Sequence, residues 1–405
     1  MYRLFFIYVF ATLLNIQPLF SQNDTLNMSV STAFNSGNVL GVYNHLRNQN
    51  KSNVNFRLEY SKRALSSQLS LNFDDRDKLR FDSSYVSYEK GITNLSIGKV
   101  DRIWSFSNKS SLILSSNSRP IEAISIKLED KLHNQWFPSN TQWSIEAIYG
   151  STRNSYSGEN SMLFGARAVI SPSERLSFEI LQTSQWGGEN NKLNKSIVSG
   201  IFLGETNSGE NAEINKMAGF GASYEIPINK NTYRVYGQAI GEDEAGGLPS
   251  CYSWIAGMEL LSPNIRVPTK LSIEIIETRT KTSTSGWCGP NIVYNNNTYD
   301  YINYNTVMGV PIDSEGTSLE LFGESQVNKN LGINYSTKFL NINDKNHSQH
   351  RLSSKRSLGT ISSLGIYWEK NGLELGGNIS YQDLILDKAN VSNGTIFSLF
   401  SSVKF

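Results

Sequence analysis

Apolar residues recur at every second position along much of this chain. In TQWSIEAIYGS (141–151), Trp143, Ile145, Ala147 and Tyr149 alternate with Gln142, Ser144, Glu146 and Ile148. RLSFEILQTSQW (175–186) sets Leu176, Phe178 and Ile180 on one face, and KLSIEIIETRT (270–280), LGINYSTKFLNI (331–342) and LELGGNISYQDL (373–384) behave alike. Successive strand residues point to opposite faces, so a period of two predicts strands with one face in an apolar medium. About 18 such segments of roughly ten residues can be marked out, the length a tilted strand needs to cross a bilayer. The region 27–61 reads equally as two strands or three.

The connectors fall into two lengths. SPSE (171–174), PINKN (227–231), VNKN (327–330) and EKNG (369–372) are short, whereas long connectors lie near 104–118, 150–160, 187–215, 242–252, 281–316, 343–356 and 384–394. Counting strands backward from a periplasmic C-terminus puts every long connector on the outer side. Outer-membrane barrels have short periplasmic turns and long extracellular loops, and a soluble sandwich has no need to carry all its length at one end. The expected fold class is all-β: a closed transmembrane antiparallel β-barrel of about 18 strands, with long extracellular loops partly closing the lumen.

Both termini fit that expectation. MYRLFFIYVFATLLNIQPLFSQND carries Arg3 before an apolar stretch from Leu4 to about Ile16, and small Ser21 before Gln22. This reads as a secretory signal over 1–21, too short for a stable membrane helix, leaving 22–405 as the barrel. At the other end, TIFSLFSSVKF places Phe405, Val403, Ser401, Leu399 and Phe397 on one mostly apolar face, and a final aromatic suits a strand ending at the membrane–water interface.

Composition adds a constraint. Charged residues make up 18% and hydrophobic ones 39%, with mean hydropathy −0.35, yet aromatics reach 11%. A barrel hides its lipid-facing residues at alternate positions, so its mean hydropathy stays low without any long apolar run. A formal net charge of +1 gives no bulk attraction to nucleic acid.

Candidate chemistry is sparse. Glu242, Asp243 and Glu244 form an acidic cluster, but glycoside hydrolysis needs two carboxyls flanking a bond, and three consecutive acids establish no such geometry. They suit cation pairing or hydrogen bonds to sugar hydroxyls better, so no catalytic residue is assigned. The 4 His show no ligand spacing, and Gly187-Gly188 and Gly246-Gly247 lack the strand–glycine–helix context of a phosphate cradle, so neither metal nor cofactor is expected. Aromatics lead further, because sugars present apolar C–H faces that stack on rings. Trp287, Tyr294, Tyr299, Tyr301 and Tyr304 crowd the 281–316 connector among asparagines, and Trp104 and Trp186 open two others. The competing assignment for these rings is the interfacial girdle that such barrels carry. Cys251 and Cys288, the 2 cysteines, fall in connectors on the same oxidising side, so a disulfide is expected. It closes a loop of about 38 residues, worth roughly 3–4 kcal/mol in the chain-entropy model.

Several motifs resemble successive blocks of the Wzi capsule assembly family: Arg-Ile-Trp at 102–104, Ser-Leu-Ile-Leu-Ser at 111–115, Asn-Ser-Arg-Pro at 117–120, Gln-Trp-Gly-Gly at 185–188 and Gly-Glu-Asp-Glu-Ala-Gly-Gly at 241–247. DSEGTSLELFGE (313–324) matches the family's late barrel region more loosely. The resemblance implies an 18-stranded outer-membrane barrel acting as a non-catalytic surface lectin that helps hold capsular polysaccharide or related exopolysaccharide. Its partners are then that polymer, outer-membrane lipid and the barrel-assembly machinery. Some family members carry a periplasmic helical bundle before the barrel, for which QNDTLNMSVSTAFNSGNV (22–39) leaves little room.

One stretch poses a physical question. RIWSFSNKSSLILSSNSRP (102–120) holds an apolar Leu-Ile-Leu run in a connector, a liability in water. Either it folds inward as a plug, with Arg119 satisfied by loop carboxylates, or Leu112 to Leu114 extend a strand beyond the membrane. Two functions compete accordingly. A lectin would use Trp104, Arg119, Trp186, Glu242, Asp243 and the 281–316 rings; a porin-like channel would use an open polar lumen.

Overall fold

The structure, a computed structural model, describes residues 24–41, 52–74, 79–132, 138, 140–153, 160–187, 198–201, 214–245, 248–263, 267–280, 288–296 and 299–405. The proposed signal segment lies outside them. Eighteen long strands follow in chain order. They are β1 (Asp24–Asn35), β2 (Ser52–Lys62), β3 (Leu65–Asp74), β4 (Tyr85–Lys90), β5 (Thr93–Lys99), β6 (Glu122–Lys131), β7 (Gln142–Ser151), β8 (Met162–Ser171) and β9 (Leu176–Trp186). The second half comprises β10 (Asn215–Ile228), β11 (Asn231–Ala245), β12 (Leu248–Ser262), β13 (Thr269–Glu277), β14 (Thr317–Gln326), β15 (Leu331–Ile342), β16 (Ser357–Lys370), β17 (Leu373–Asp383) and β18 (Gly394–Lys404).

Each strand pairs antiparallel with its neighbours in sequence, and β1 pairs with β18 through Val30 opposite Val403, closing the barrel. Closure leaves no unpaired edge, which a lipid-facing sheet requires because lipid satisfies no backbone polar group. Ser31 and Ser402 hydrogen-bond at 2.9 Å across the seam.

The alternation read from sequence maps onto the two barrel faces. Outward residues such as Ile124, Ile145, Ile180, Phe220, Ile275, Leu364 and Leu399 are 45–66% exposed. Exposed aliphatic and aromatic side chains continue on the outward face around the barrel, an arrangement that water penalises and a bilayer's hydrocarbon accommodates. Inward positions are in part small or polar, including Ser125, Glu146 and Gln238, and in part apolar at the loop end, where Ile148, Leu181 and Ile276 are buried. The final strand obeys the rule too: Phe397 and Leu399 face out, while Ile396 and Ser402 are buried inside.

The two ends differ as expected. Connectors at one end include 63–64, 91–92, 172–175, 229–230, 327–330 and 371–372, the longest being 132–141. The opposite end carries 36–51, 100–121, 187–214, 278–316, 343–356 and 384–393. The region 27–61 resolves as two strands, β1 and β2. One expectation needs correction: 242–252 is largely strand rather than loop. The β11–β12 ladder continues through Asp243 opposite Ser250 to Ala245 opposite Leu248, so the acidic cluster stands on a two-stranded ribbon rising above its neighbours. Pairing with a partner strand overrides the loop-like composition of Gly-Glu-Asp-Glu.

Candidate functional site

The Leu-Ile-Leu run turns inward. Leu112 and Ile113 are fully buried and Leu114 is 4% exposed, packed with Trp104, Ile148, Leu181, Ile240 and Met308 in one core that fills the barrel's loop end. Polar anchors hold it there. Leu112 N–H donates to Gln238 Oε1 at 2.9 Å, and Gln238 Nε2 donates to the Trp104 carbonyl at 2.7 Å. The Trp104 ring packs against the inner wall at Gly165, where an added Cβ would come within 2.9 Å of it, so this strand position favours glycine.

Below the apolar plug lies a charged layer. Arg102 donates to Glu146 at 2.8 Å and Trp104 Nε1 to the same carboxylate at 3.0 Å. Ser107 donates to Glu274 at 2.6 Å, and Lys109 pairs with Glu320. Wall residues close the remaining pairs: Arg167 with Glu179 and Arg234 with Glu259, each at 2.6 Å. Sequence reasoning passed over these glutamates. Their signal was a single carboxylate on the polar face of each of several alternating strands, and buried carboxylates demand such partners.

The 278–316 connector completes the plug. Tyr294 and Tyr301 are fully buried and stack at 6.0 Å; Tyr294 Oη donates to the Leu112 carbonyl at 2.9 Å, and Tyr301 bonds Thr183 at 2.8 Å. Gly309 permits this approach, since a Cβ there would meet Tyr294 Oη at 2.3 Å. Two clamps hold the connector. Arg351 forks onto Asp313 and also reaches Asp300 at 3.3 Å, tying 343–356 to it. The Cys251–Cys288 disulfide ties it to the β11–β12 ribbon, as the shared location of the two cysteines predicted.

The expected sugar-stacking residues are dispersed. Trp104 is 1% and Trp186 4% exposed, the latter packed on Ile201, Ile214 and Tyr149. Tyr294 and Tyr301 are core, and Tyr299 is 9% exposed, so none of these presents an open ring face; the expectation of an aromatic binding surface there is corrected by burial. Arg119 forks onto Asp82 at 2.8 Å and stacks over Tyr304 at 3.7 Å, meeting the loop carboxylate foreseen for it. Tyr304 is only half-buried. Glu242 is 8% exposed, and its charge is felt at Arg351. Trp287 and the Asp243 side chain lie outside the described residues.

What sequence reasoning missed is a cleft of about 780 Å³ beside the disulfide, lined by Tyr252, Trp254, Arg279, Glu315, Asp344 and Lys345 among others. Tyr252 and Trp254 rings sit 5.6 Å apart. Arg279 forks onto Glu277 at 2.6 Å, and hydrogen bonding from Asn341 with nearby Arg356 and Arg279 holds the Asp344 carboxyl below its ordinary range. Burial pushes Glu315 the other way, upward, against opposing hydrogen bonds from the backbones of Asn291 and Thr280.

Comparison with known proteins places this geometry. The chain superposes on the solved structure of Wzi from Escherichia coli, described as an outer-membrane protein involved in group 1 capsule assembly and a carbohydrate-binding β-barrel, with TM-score 0.79 and 18% identity over 96% of this chain and 86% of that one. OprD from Pseudomonas aeruginosa, an outer-membrane protein, shares the fold more distantly, at TM-score 0.55 and 10% identity over 95% and 93%. A Klebsiella pneumoniae protein described as "Uncharacterized 55.8 kDa protein in cps region" is 29% identical over 170 residues, 41% of this chain; the match spans 34% of that protein, about a third of its length. The sequence profile of the family "Capsule assembly protein Wzi" matches residues 20–390, so the chain belongs to the Wzi capsule assembly family.

Proposed function

We propose that this chain is a non-catalytic outer-membrane lectin whose loop end faces outward and retains capsular polysaccharide or related exopolysaccharide at the cell surface. The observation that carries the reading is the filled lumen. Connector 100–121 lies inside the barrel with Leu112 and Ile113 fully buried and its polar groups bonded to the wall. A barrel so plugged works at its rim rather than through its bore. Family membership supplies the ligand class.

A polymer suits such a rim. Each stacked ring contributes about 1 kcal/mol, so retention comes from many weak contacts along one chain, with high effective concentration after the first. Tyr304 and the cleft aromatics Tyr252 and Trp254 offer partly open rings, and Trp287 and Asp243 remain part of the proposed surface. The porin-like reading draws on the shared barrel architecture of OprD.

Deleting the gene and restoring it tests the reading. Cell-bound polymer should fall and shed polymer rise in the deletion strain, with recovery on complementation. Full cell-bound polymer in the deletion strain would overturn it, and open single-channel currents from the purified barrel would favour the channel.

A further inference from the structure

The cleft beside Cys251–Cys288 has features that the plug does not explain. Its volume of about 780 Å³ falls within the range of small-ligand sites, roughly 300–1,000 Å³. Glu315 lines it and is 1% exposed, and its Oε1 has no hydrogen-bond partner, whereas buried polar atoms are nearly always satisfied. The carboxyl accepts from the backbones of Thr280 and Asn291, so it is fixed while one acceptor oxygen stays vacant. Across the same cleft stand Tyr252 and the half-exposed Trp254.

An aromatic pair next to a fixed acceptor matches a sugar ring, whose C–H face stacks while a hydroxyl donates. The charges select further. Glu277, Glu315 and Asp344 line the cleft against Arg279 and Lys345, and Arg279 is already forked onto Glu277. Among the described lining residues no surplus positive charge awaits a uronate or phosphate.

We propose that this cleft is a subsite for one neutral hexopyranose unit, stacked on Tyr252 and Trp254 and donating a hydroxyl proton to Glu315 Oε1. This rests on the lectin reading and names the unit that the surface recognises. The disulfide positions the site by fixing the ribbon that carries Tyr252 to the connector ending in Glu315.

The test uses the full chain in detergent micelles. Methyl α-D-glucopyranoside, methyl α-D-mannopyranoside and methyl α-D-galactopyranoside are each titrated and read by saturation-transfer NMR. At least one should bind wild type, and Glu315→Gln and Tyr252→Ala should each weaken it roughly tenfold, since Gln replaces the carboxylate acceptor with a weaker neutral amide and Ala removes a stacking face. Barrel assembly of both variants is checked by heat-modifiable migration. Wild-type binding by Glu315→Gln, or binding of none of the three, would overturn the subsite. If cells then still needed this protein to retain polymer, the lectin reading would stand without it. Binding confined to lipopolysaccharide micelles, with no free glycoside engaged, would also overturn the proposal and assign the cleft to outer-leaflet lipid.

Discussion

Two residues show how single positions hold the plug. Gly165 gives Trp104 its resting place, and Gly165→Leu drives a side chain into the indole and Ile148. Overpacking of this kind costs about 1–3 kcal/mol, so the variant should melt earlier and expose connector 100–121 to trypsin; unchanged digestion would contradict the packing. His350 is fully buried, with Nε2 bonded to the Ser314 carbonyl at 2.9 Å and Nδ1 accepting from the Leu352 backbone at 3.2 Å. That arrangement holds the ring neutral, and burial lowers its pKa, with Arg351 and Lys388 adding to the effect and Asp313 opposing it. A lowered histidine leaves the unfolded connector binding more protons. Its stabilisation is therefore complete above about pH 6.5 and lost as pH falls below that. Proteolysis of 343–356 should accelerate on acidification, and His350→Gln should flatten that dependence whatever its baseline rate.

Among the elements, the β11–β12 ribbon and the 278–316 connector matter most. Their link through Cys251 and Cys288 closes a span of 37 residues and restrains the unfolded chain by roughly 3–4 kcal/mol in the entropy model. The double variant Cys251→Ser, Cys288→Ser should assemble but melt earlier. Equal melting temperatures would show that the Arg351 clamp alone holds the connector. Both cysteines were legible in sequence because loop counting put them on one side. The ribbon was not: GEDEAGG has the composition of a loop, and only its pairing with Leu248, Pro249, Ser250 and Tyr252 across the ladder holds it as strand.

For the whole molecule, orientation and lumen are the testable properties. Cysteine introduced at the exposed loop-end Asn390 should react with an impermeant maleimide on intact cells, whereas cysteine at turn-end Lys329 should not. The reverse pattern would invert the barrel. Wild-type protein in planar bilayers should conduct little, and removing 105–116, which carries Ser107, Lys109 and Leu112, should raise conductance. No change would mean that other segments seal the bore.

The chain's sequence by itself determined the membrane-spanning strands, their two faces, the unequal ends and the disulfide, though not the 242–252 ribbon. All follow from local periodicity and from the single closed path that alternating connectors allow. Tertiary structure alone decided the destination of the connectors. Leu112 meets Gln238 across 126 positions and Tyr294 across 182, and no local pattern encodes such a meeting. Tyr294 at the centre of the plug and Tyr304 near the surface carry the same signature in sequence, an aromatic among asparagines. What separates them is whether the closed wall encloses the ring, a property of the barrel and not of its neighbours in the chain.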